Sequence, residues 1–74
     1  MKKQTFIDGM TARGYETATS LTGNVTATKV ENTVRWLRTD HGKIYVETPG
    51  VTMLIPQNVL DTEAFRLLDY LVQP

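Results

Sequence analysis

The chain has no cysteine and only one histidine, His41. Without thiols it has neither a disulfide framework nor a thiolate metal site to support its core. A single imidazole does not form a metal cluster on its own. We therefore expect no cofactor, and a reducing cytoplasm is the natural setting for such a chain.

The sequence also lacks long apolar runs. Its longest apolar segments, such as Val51 to Pro56, are far too short to span a bilayer. The start "MKKQTFIDGM" has no apolar stretch of signal-peptide length behind its lysines. We expect no membrane association. The length of 74 residues predicts a single domain, residues 1–74. A domain of this size is near the lower limit at which an apolar core can hold a fold by itself, which favours additional stabilisation by a partner or a second copy.

The chain has no net charge, which argues against a protein held to nucleic acid by bulk charge. The distribution is uneven, however. Residues 1–45 carry seven Lys and Arg against four Asp and Glu, and residues 46–74 carry one against four. A basic front and an acidic tail can orient a small protein on a polyanion. Ordinary scattering of surface charge explains the same numbers equally well.

No motif for catalysis is present in the sequence. It lacks a paired nucleophile and base, a glycine-rich phosphate loop and any metal-ligand spacing. The pairs Asp61/Glu63 and Asp40/His41 fit the chemistry of a helix end and of a turn. We expect no enzymatic activity.

Several segments have clear local patterns. In "KQTFIDGMTARGY" the apolar residues stand at helical spacing and Gly14 suits a helix end. The segment "ETATSLTGN" fits a short helix, or a strand that turns back at Gly23-Asn24. Lys43 to Thr48 and Val51 to Pro56 form a hairpin pattern around Pro49-Gly50. The final "NVLDTEAFRLLDYLVQP" has a broad apolar helical stripe.

The middle segment "VTATKVENTVRWLRTDHGKIYVETPG" has two incompatible interpretations. As a helix, it aligns Ala27, Val30, Val34 and Leu37 in one stripe about 80° wide. As a strand it leaves Leu37 on the wrong face, although its threonines and valines favour β-structure. Apolar spacing favours the helix, and propensity favours the strand.

The stretch "TATSLTGNVTATKVENTVRWLRTDHGKIYV" resembles the winged helix-turn-helix superfamily. The resemblance is carried by Ala18 and Leu21, then the turn 23–25, then Val30, Val34 and Leu37, then Gly42 and Ile44. It implies an α+β fold with three helices, a two-stranded β-hairpin wing and a C-terminal helix. The alternative is a β-meander with flanking helices.

The resemblance also implies a function. A recognition helix at about 26–39 would lie in the major groove of double-stranded DNA. The residues expected to contact bases are Thr26, Thr28, Lys29 and Asn32. Those expected near phosphate or the minor groove are Arg35, Arg38, His41 and Lys43. Trp36 falls on the same face of the helix, where it would stack on nucleic acid, or it packs half-buried as a lone Trp commonly does.

The leading hypothesis is a small sequence-specific DNA-binding transcriptional regulator, a repressor or excision factor of the kind carried by phages and plasmids. It would act as a homodimer. The expected dimer surface on the last helix consists of Leu60, Phe65, Leu68, Leu71 and Val72.

Two other functions fit the same sequence. A β-meander from Tyr15 to Pro56, packed by the last helix, would be a protein-interaction module or inhibitor that binds a host protein without DNA contact. That interpretation explains the zero net charge and the many threonines. A winged helix that has lost DNA binding would serve as an adaptor.

Overall fold

The computed structural model describes residues 1–72, which form two helices and five strands. The elements, in chain order, are α1 (Lys3–Ala12), β1 (Glu16–Thr19), β2 (Val25–Lys29), β3 (Asn32–Leu37), a 3-10 turn (Arg38–Asp40), β4 (Lys43–Thr48), β5 (Val51–Leu54) and α2 (Asp61–Leu71). Each helix thus lies at one end of this order, with all the strands between them.

The strands form one antiparallel meander in the order β1-β2-β3-β4-β5. Alternate residues of the inner strands turn to one face, where both helices cover them. α1 packs on β1 and β2, whereas α2 packs on β4. The core between sheet and helices contains Phe6, Met10, Tyr15, Val25, Ala27, Val34, Trp36, Ile44, Val46, Ile55, Ala64 and Leu68. Within residues 1–72, no helix lies on the other face of the sheet.

The predicted recognition helix at 26–39 is wrong. Its residues form β2 and β3, joined by a tight turn at Val30 and Glu31. Ala27 and Val34, two members of the helical stripe, are instead cross-strand partners in the core. Val30, a third member, is the tip of the turn and 94% exposed. Burial alternates along each strand, and this two-residue period overrides the helical spacing.

The fold predicted from the resemblance is also wrong at two other places. "ETAT" is strand β1, which pairs with β2, so the expected short second helix is absent from the described residues. The hairpin β4–β5 exists with Pro49-Gly50 at its tip, but it is no separate wing, because β4 also pairs with β3 along its length. The observed architecture is the β-meander with flanking helices, the alternative that the sequence also allows.

The first helix and the last helix agree with the sequence patterns. α1 buries Phe6 and Met10, and α2 buries Ala64 and Leu68. Two side chains also connect the terminal segments by hydrogen bonds, one to the sheet and one between the two helices. The indole Nε1 of Trp36 donates to the carbonyl oxygen of Met1 at 2.9 Å. Arg13 Nε donates to Asp69 Oδ1 at 2.6 Å and so ties α1 to α2.

Candidate functional site

The face of the sheet opposite the two helices is uncovered within residues 1–72. Because the five strands are in register, its side chains stand in rows that cross the whole sheet. The central row consists of Ala18, Thr26, Arg35, Tyr45 and Leu54. A neighbouring row consists of Glu16, Thr28, Thr33, Glu47 and Thr52. We refer to these two rows as the open face.

Arg35 and Tyr45 are adjacent at the middle of the open face, on the paired strands β3 and β4. Each is held by an acidic neighbour. Arg35 Nη1 donates to Glu47 Oε1 in a diagonal cross-strand ion pair. The hydroxyl of Tyr45 donates to Asp40 Oδ2 at 3.0 Å, and this hydrogen bond to a carboxylate raises the pKa of Tyr45. Both long side chains are therefore oriented before any partner arrives.

The charges on and around the open face do not make a basic field. Arg35 is paired with Glu47, and Lys43 Nζ lies 3.4 Å from Asp40 Oδ1 at the end of β4. Glu16 adds a further negative charge at the β1 side. The face is close to neutral and acidic by about one charge. A phosphate backbone needs unpaired cations, because the release of counterions drives its binding.

The residues predicted to contact DNA are divided between the two faces of the sheet. Thr26, Thr28 and Arg35 are on the open face, with Lys43 at its end. Trp36 is a core residue instead. Six residues of the predicted set do not belong to the two rows, namely Lys29, Asn32, Trp36, Arg38, His41 and Lys43.

Five of these six residues, all except Trp36, lie at the ends of strands or in the turns between them. Lys29 Nζ donates to the carbonyl oxygen of Arg13 at 2.8 Å. Asn32 pairs with Lys29 across the β2–β3 turn. Arg38 is exposed beside the β1–β2 loop, close to Gly23. His41 adopts a left-handed backbone conformation with φ 58° directly after the 3-10 turn.

The predicted dimer residues are mostly engaged inside the molecule. Leu68 is fully buried, and Leu71 and Val72 pack against the core. Phe65 lies under the guanidinium of Arg13, whose carbon is 4.5 Å from the ring centroid. Leu60 alone among the five is largely exposed, at 73%. The apolar stripe of α2 therefore serves the core first.

A cleft of about 530 Å³ opens where the ends of the helices meet the β2–β3 turn, among Arg13, Tyr15, Lys29, Asn32 and Asp69. Its polar groups already bind one another. Arg13 is bonded to Asp69, and Lys29 to the backbone of Arg13. Burial is the main cause that raises the pKa of Tyr15. This arrangement stabilises the junction of the helices and needs no ligand to satisfy it.

Sequence reasoning missed Tyr45 and Glu47 as members of a shared surface. The signal was present, because "KIYVET" alternates as a strand with Ile44 and Val46 on one side and Tyr45 and Glu47 on the other. Their neighbours on β3 were assigned to a helix, so the shared row was not visible.

Comparisons with protein-family models, with curated proteins and with solved structures give no match to this chain. Within residues 1–72 no helix has the length and apolar character needed to cross a membrane. Among these residues, no three His, Cys, Asp or Glu side chains converge as metal ligands would. The geometry of the surface is therefore the basis for the function proposed below.

Proposed function

We propose that this chain is a small protein-interaction module that binds another protein through its open face. The observation that carries the proposal is the adjacent pair Arg35 and Tyr45 at the centre of an uncovered, nearly neutral sheet. Arginine and tyrosine are among the residues that contribute most binding energy at protein interfaces, typically near the centre of the contact.

The state of these two side chains favours binding. Arg35 is already held by Glu47 and Tyr45 by Asp40, so less side-chain entropy is lost when a partner docks. The threonines on either side offer short hydroxyls that hydrogen-bond at low entropic cost. A rigid sheet keeps all of them in a fixed arrangement.

The charge of the face supports a protein partner over DNA. Its cations are neutralised within the molecule, and the recognition helix on which the DNA hypothesis rested is replaced by β2 and β3. The partner that fits is a folded protein surface of mixed, nearly neutral character. DNA binding stays a prediction, and a separate binding measurement with duplex DNA tests it.

A photo-cross-linking amino acid at Thr28 tests the proposal in cells that carry the gene. Thr28 is an exposed member of the open face, and Thr11 on the exposed side of α1 is the matched control position. We expect one discrete protein adduct from position 28 and none from position 11. Arg35→Ala should abolish the adduct, whereas Arg38→Ala, an exposed arginine outside the open face, should leave it intact.

Binding of the purified chain to mixed-sequence duplex DNA at low salt provides the second measurement. We expect no complex. A complex whose affinity falls steeply with salt and is lost in Arg35→Ala would overturn the proposal in favour of the DNA-binding regulator. Absence of any protein adduct from position 28 would also contradict it.

A further inference from the structure

The exposed apolar side chains of this molecule are concentrated in one part of the chain. Of the eight large apolar residues exposed within residues 1–72, six lie between positions 51 and 70. They are Val51, Met53, Leu54, Leu60, Leu67 and Tyr70. Contiguous apolar exposure of this kind marks an interaction site in a soluble domain.

α2 turns two of these residues away from α1. Phe65 faces α1, because its ring lies against Gly9. At roughly 100° per residue, Leu67 and Tyr70 lie about 160° and 140° around the helix from Phe65. Since α1 covers β1 and β2 and α2 packs on β4, this flank of α2 is on the side of β5.

Strand β5 contributes side chains to the same place. Met53 pairs with the buried Val46, so Met53 and Val51 stand on the face that carries the helices. Leu54 stands on the opposite face, beside Tyr45. All four residues of β5 are exposed. We name Val51, Met53, Leu54, Leu67 and Tyr70 the β5–α2 surface.

The backbone of β5 is open on its outer side, because β5 is the last strand of the sheet. Ile55 N donates to Ile44 O, and pairing alternates along an antiparallel ladder, so Val51 and Met53 direct their backbone groups to β4. Thr52 and Leu54 therefore direct their N–H and C=O groups outward. Pro56, the next outward position, has no N–H to donate.

The two edge strands of the sheet, β1 and β5, differ in how well they are protected against pairing with a further strand. β1 carries the charged Glu16, which disfavours strand addition. β5, "VTML", has no charged residue. The nearest charges on β4, Glu47 and Lys43, are already paired with Arg35 and Asp40. In a two-fold symmetric dimer the same surface patch faces itself, so a charged patch would meet the same charge on the second copy. β5 has no charged residue and avoids this repulsion.

From this surface we infer that a second copy of the chain binds there, with β5 pairing antiparallel to its counterpart about a two-fold axis at Met53. This inference goes beyond the proposed function and does not depend on it. In this register Thr52 lies opposite Leu54 of the second copy, and the two residues exchange N–H···O bonds on each side of the axis. Val51 lies opposite Ile55 of the second copy on the helix-bearing face.

The helices have room for this arrangement. With strands about 4.8 Å apart, the two copies of β4 are separated by three spacings, roughly 14 Å. Packed helices lie about 10 Å apart when their contact residues are of ordinary size. The additional width between the two copies of α2 accommodates Leu67 and Tyr70 from each chain, above the pair of Met53 side chains.

The area fits a dimer of modest affinity. The five side chains of the β5–α2 surface are between 40% and 72% exposed. At roughly 150–250 Å² for a large side chain, they offer about 400–600 Å² per chain. Adding Thr52 and the open backbone of β5 brings the area to the low end of specific interfaces, about 600 Å² per partner. We expect a dissociation constant in the micromolar range, and a closed dimer because β1 is protected.

The first test introduces like charges on the axis. Met53→Lys places two ammonium groups opposite each other and should weaken dimerisation by at least about 100-fold in sedimentation equilibrium. Thr19→Lys, an exposed position on the other edge strand, is the matched control and should leave the dimer unchanged. An equal effect of both variants, or a dimer that persists in Met53→Lys, would overturn the inference.

A charge exchange tests the symmetry itself. Met53→Asp alone should also be monomeric. A mixture of Met53→Lys and Met53→Asp chains should recover a dimer, because residue 53 meets only itself across the axis. Failure of the mixture to associate, with both variants folded by circular dichroism, would exclude this register.

The unmodified chain supplies a measurement that needs no variant. Hydrogen exchange at the amides of Thr52 and Leu54 should slow as protein concentration rises, while that of the β1 edge stays constant. A monomer at all concentrations, with these two amides exchanging rapidly, would overturn the inference. Such a result leaves the adduct from position 28 unaffected, so the two proposals fail independently.

Discussion

The aromatic ring of Phe65 in α2 lies against the backbone of Gly9 in α1, in the space that any side chain at Gly9 would occupy. A Cβ placed on Gly9 would overlap the ring atoms Cζ and Cε1 of Phe65. The glycine therefore lets the two helices approach each other, and the same ring also receives the guanidinium of Arg13.

Gly9→Ala should destabilise the protein, although alanine is the better helix former. In an exposed helix the exchange stabilises by about 1 kcal/mol. Here overpacking against Phe65 costs about 1–3 kcal/mol and outweighs that gain. We expect the free energy of unfolding in urea to fall by about 1 kcal/mol. Thr11→Ala on the exposed side of α1 is the control and should leave it nearly unchanged. A stabilised Gly9→Ala protein would contradict the helix contact.

Val30→Asn should stabilise the protein. Val30 has φ 55° at the β2–β3 turn, a left-handed conformation that is strained for a β-branched residue. Its side chain is almost fully exposed, so replacement loses little packing. Asparagine tolerates this conformation, and relief of the strain is worth about 1 kcal/mol. Thermal unfolding measures the gain. Glu31→Asn in the same turn, where φ is not positive, should produce no comparable rise in Tm.

The ion pair of Arg13 and Asp69 should make stability sensitive to acid. The hydrogen bond from Arg13 is the main cause that lowers the pKa of Asp69 below its ordinary value near 4. A lowered folded pKa contributes stability that is complete above that ordinary value and is lost as pH falls through the folded pKa. Because both side chains are partly exposed, the contribution is under about 1 kcal/mol.

Asp69→Asn should therefore be less stable than the natural chain at neutral pH, and the difference should shrink as pH falls below about 4 and vanish below the lowered pKa of Asp69. Denaturant unfolding over a pH series measures it. Arg13→Lys keeps the charge but not the two-pronged geometry and should show most of the same loss. A difference that persists unchanged in acid would assign the effect of Asp69 to packing instead of charge.

Trp36 should report a core environment. Its indole is 8% exposed and its Nε1 donates to the carbonyl oxygen of Met1. We expect blue-shifted fluorescence and weak quenching by acrylamide in the folded state. Trp36→Phe should lower the free energy of unfolding by about 1–3 kcal/mol, because it removes a partly buried hydrogen bond and part of the core. Emission typical of a solvated indole would contradict this placement.

The sequence determined the local elements better than their assembly. α1, β4 and α2 were evident because each has apolar residues at the period of its own structure, and β5 was evident because it is a short apolar run between glycine and proline. The segment 25–37 was not, because Ala27, Val30, Val34 and Leu37 happen to match a helical period. This segment forms strands because Val34 pairs with both Ala27 and Val46 on the neighbouring strands. Such contacts between strands leave no pattern in the sequence of the segment itself.

The candidate surface, too, was predicted in some of its residues but not in its assembly. Thr28 and Arg35 were predicted to share a face and do so, but on a sheet, where Thr26, predicted to contact bases, lies beside them. Lys29 and Trp36, predicted to join them, are elsewhere because a strand sends alternate residues to opposite sides. Tyr45 became part of the surface only through the pairing of β4 with β3.

The meander has a consequence for how this chain is made. Every strand pairs only with its neighbours in sequence, so each newly synthesised strand finds its partner already outside the ribosome. α1 differs, because it is synthesised before the sheet, whereas its contact residue Phe65 in α2 is synthesised after the sheet. We therefore expect the nascent sheet to form before α1 docks fully, since docking requires α2 to have been synthesised.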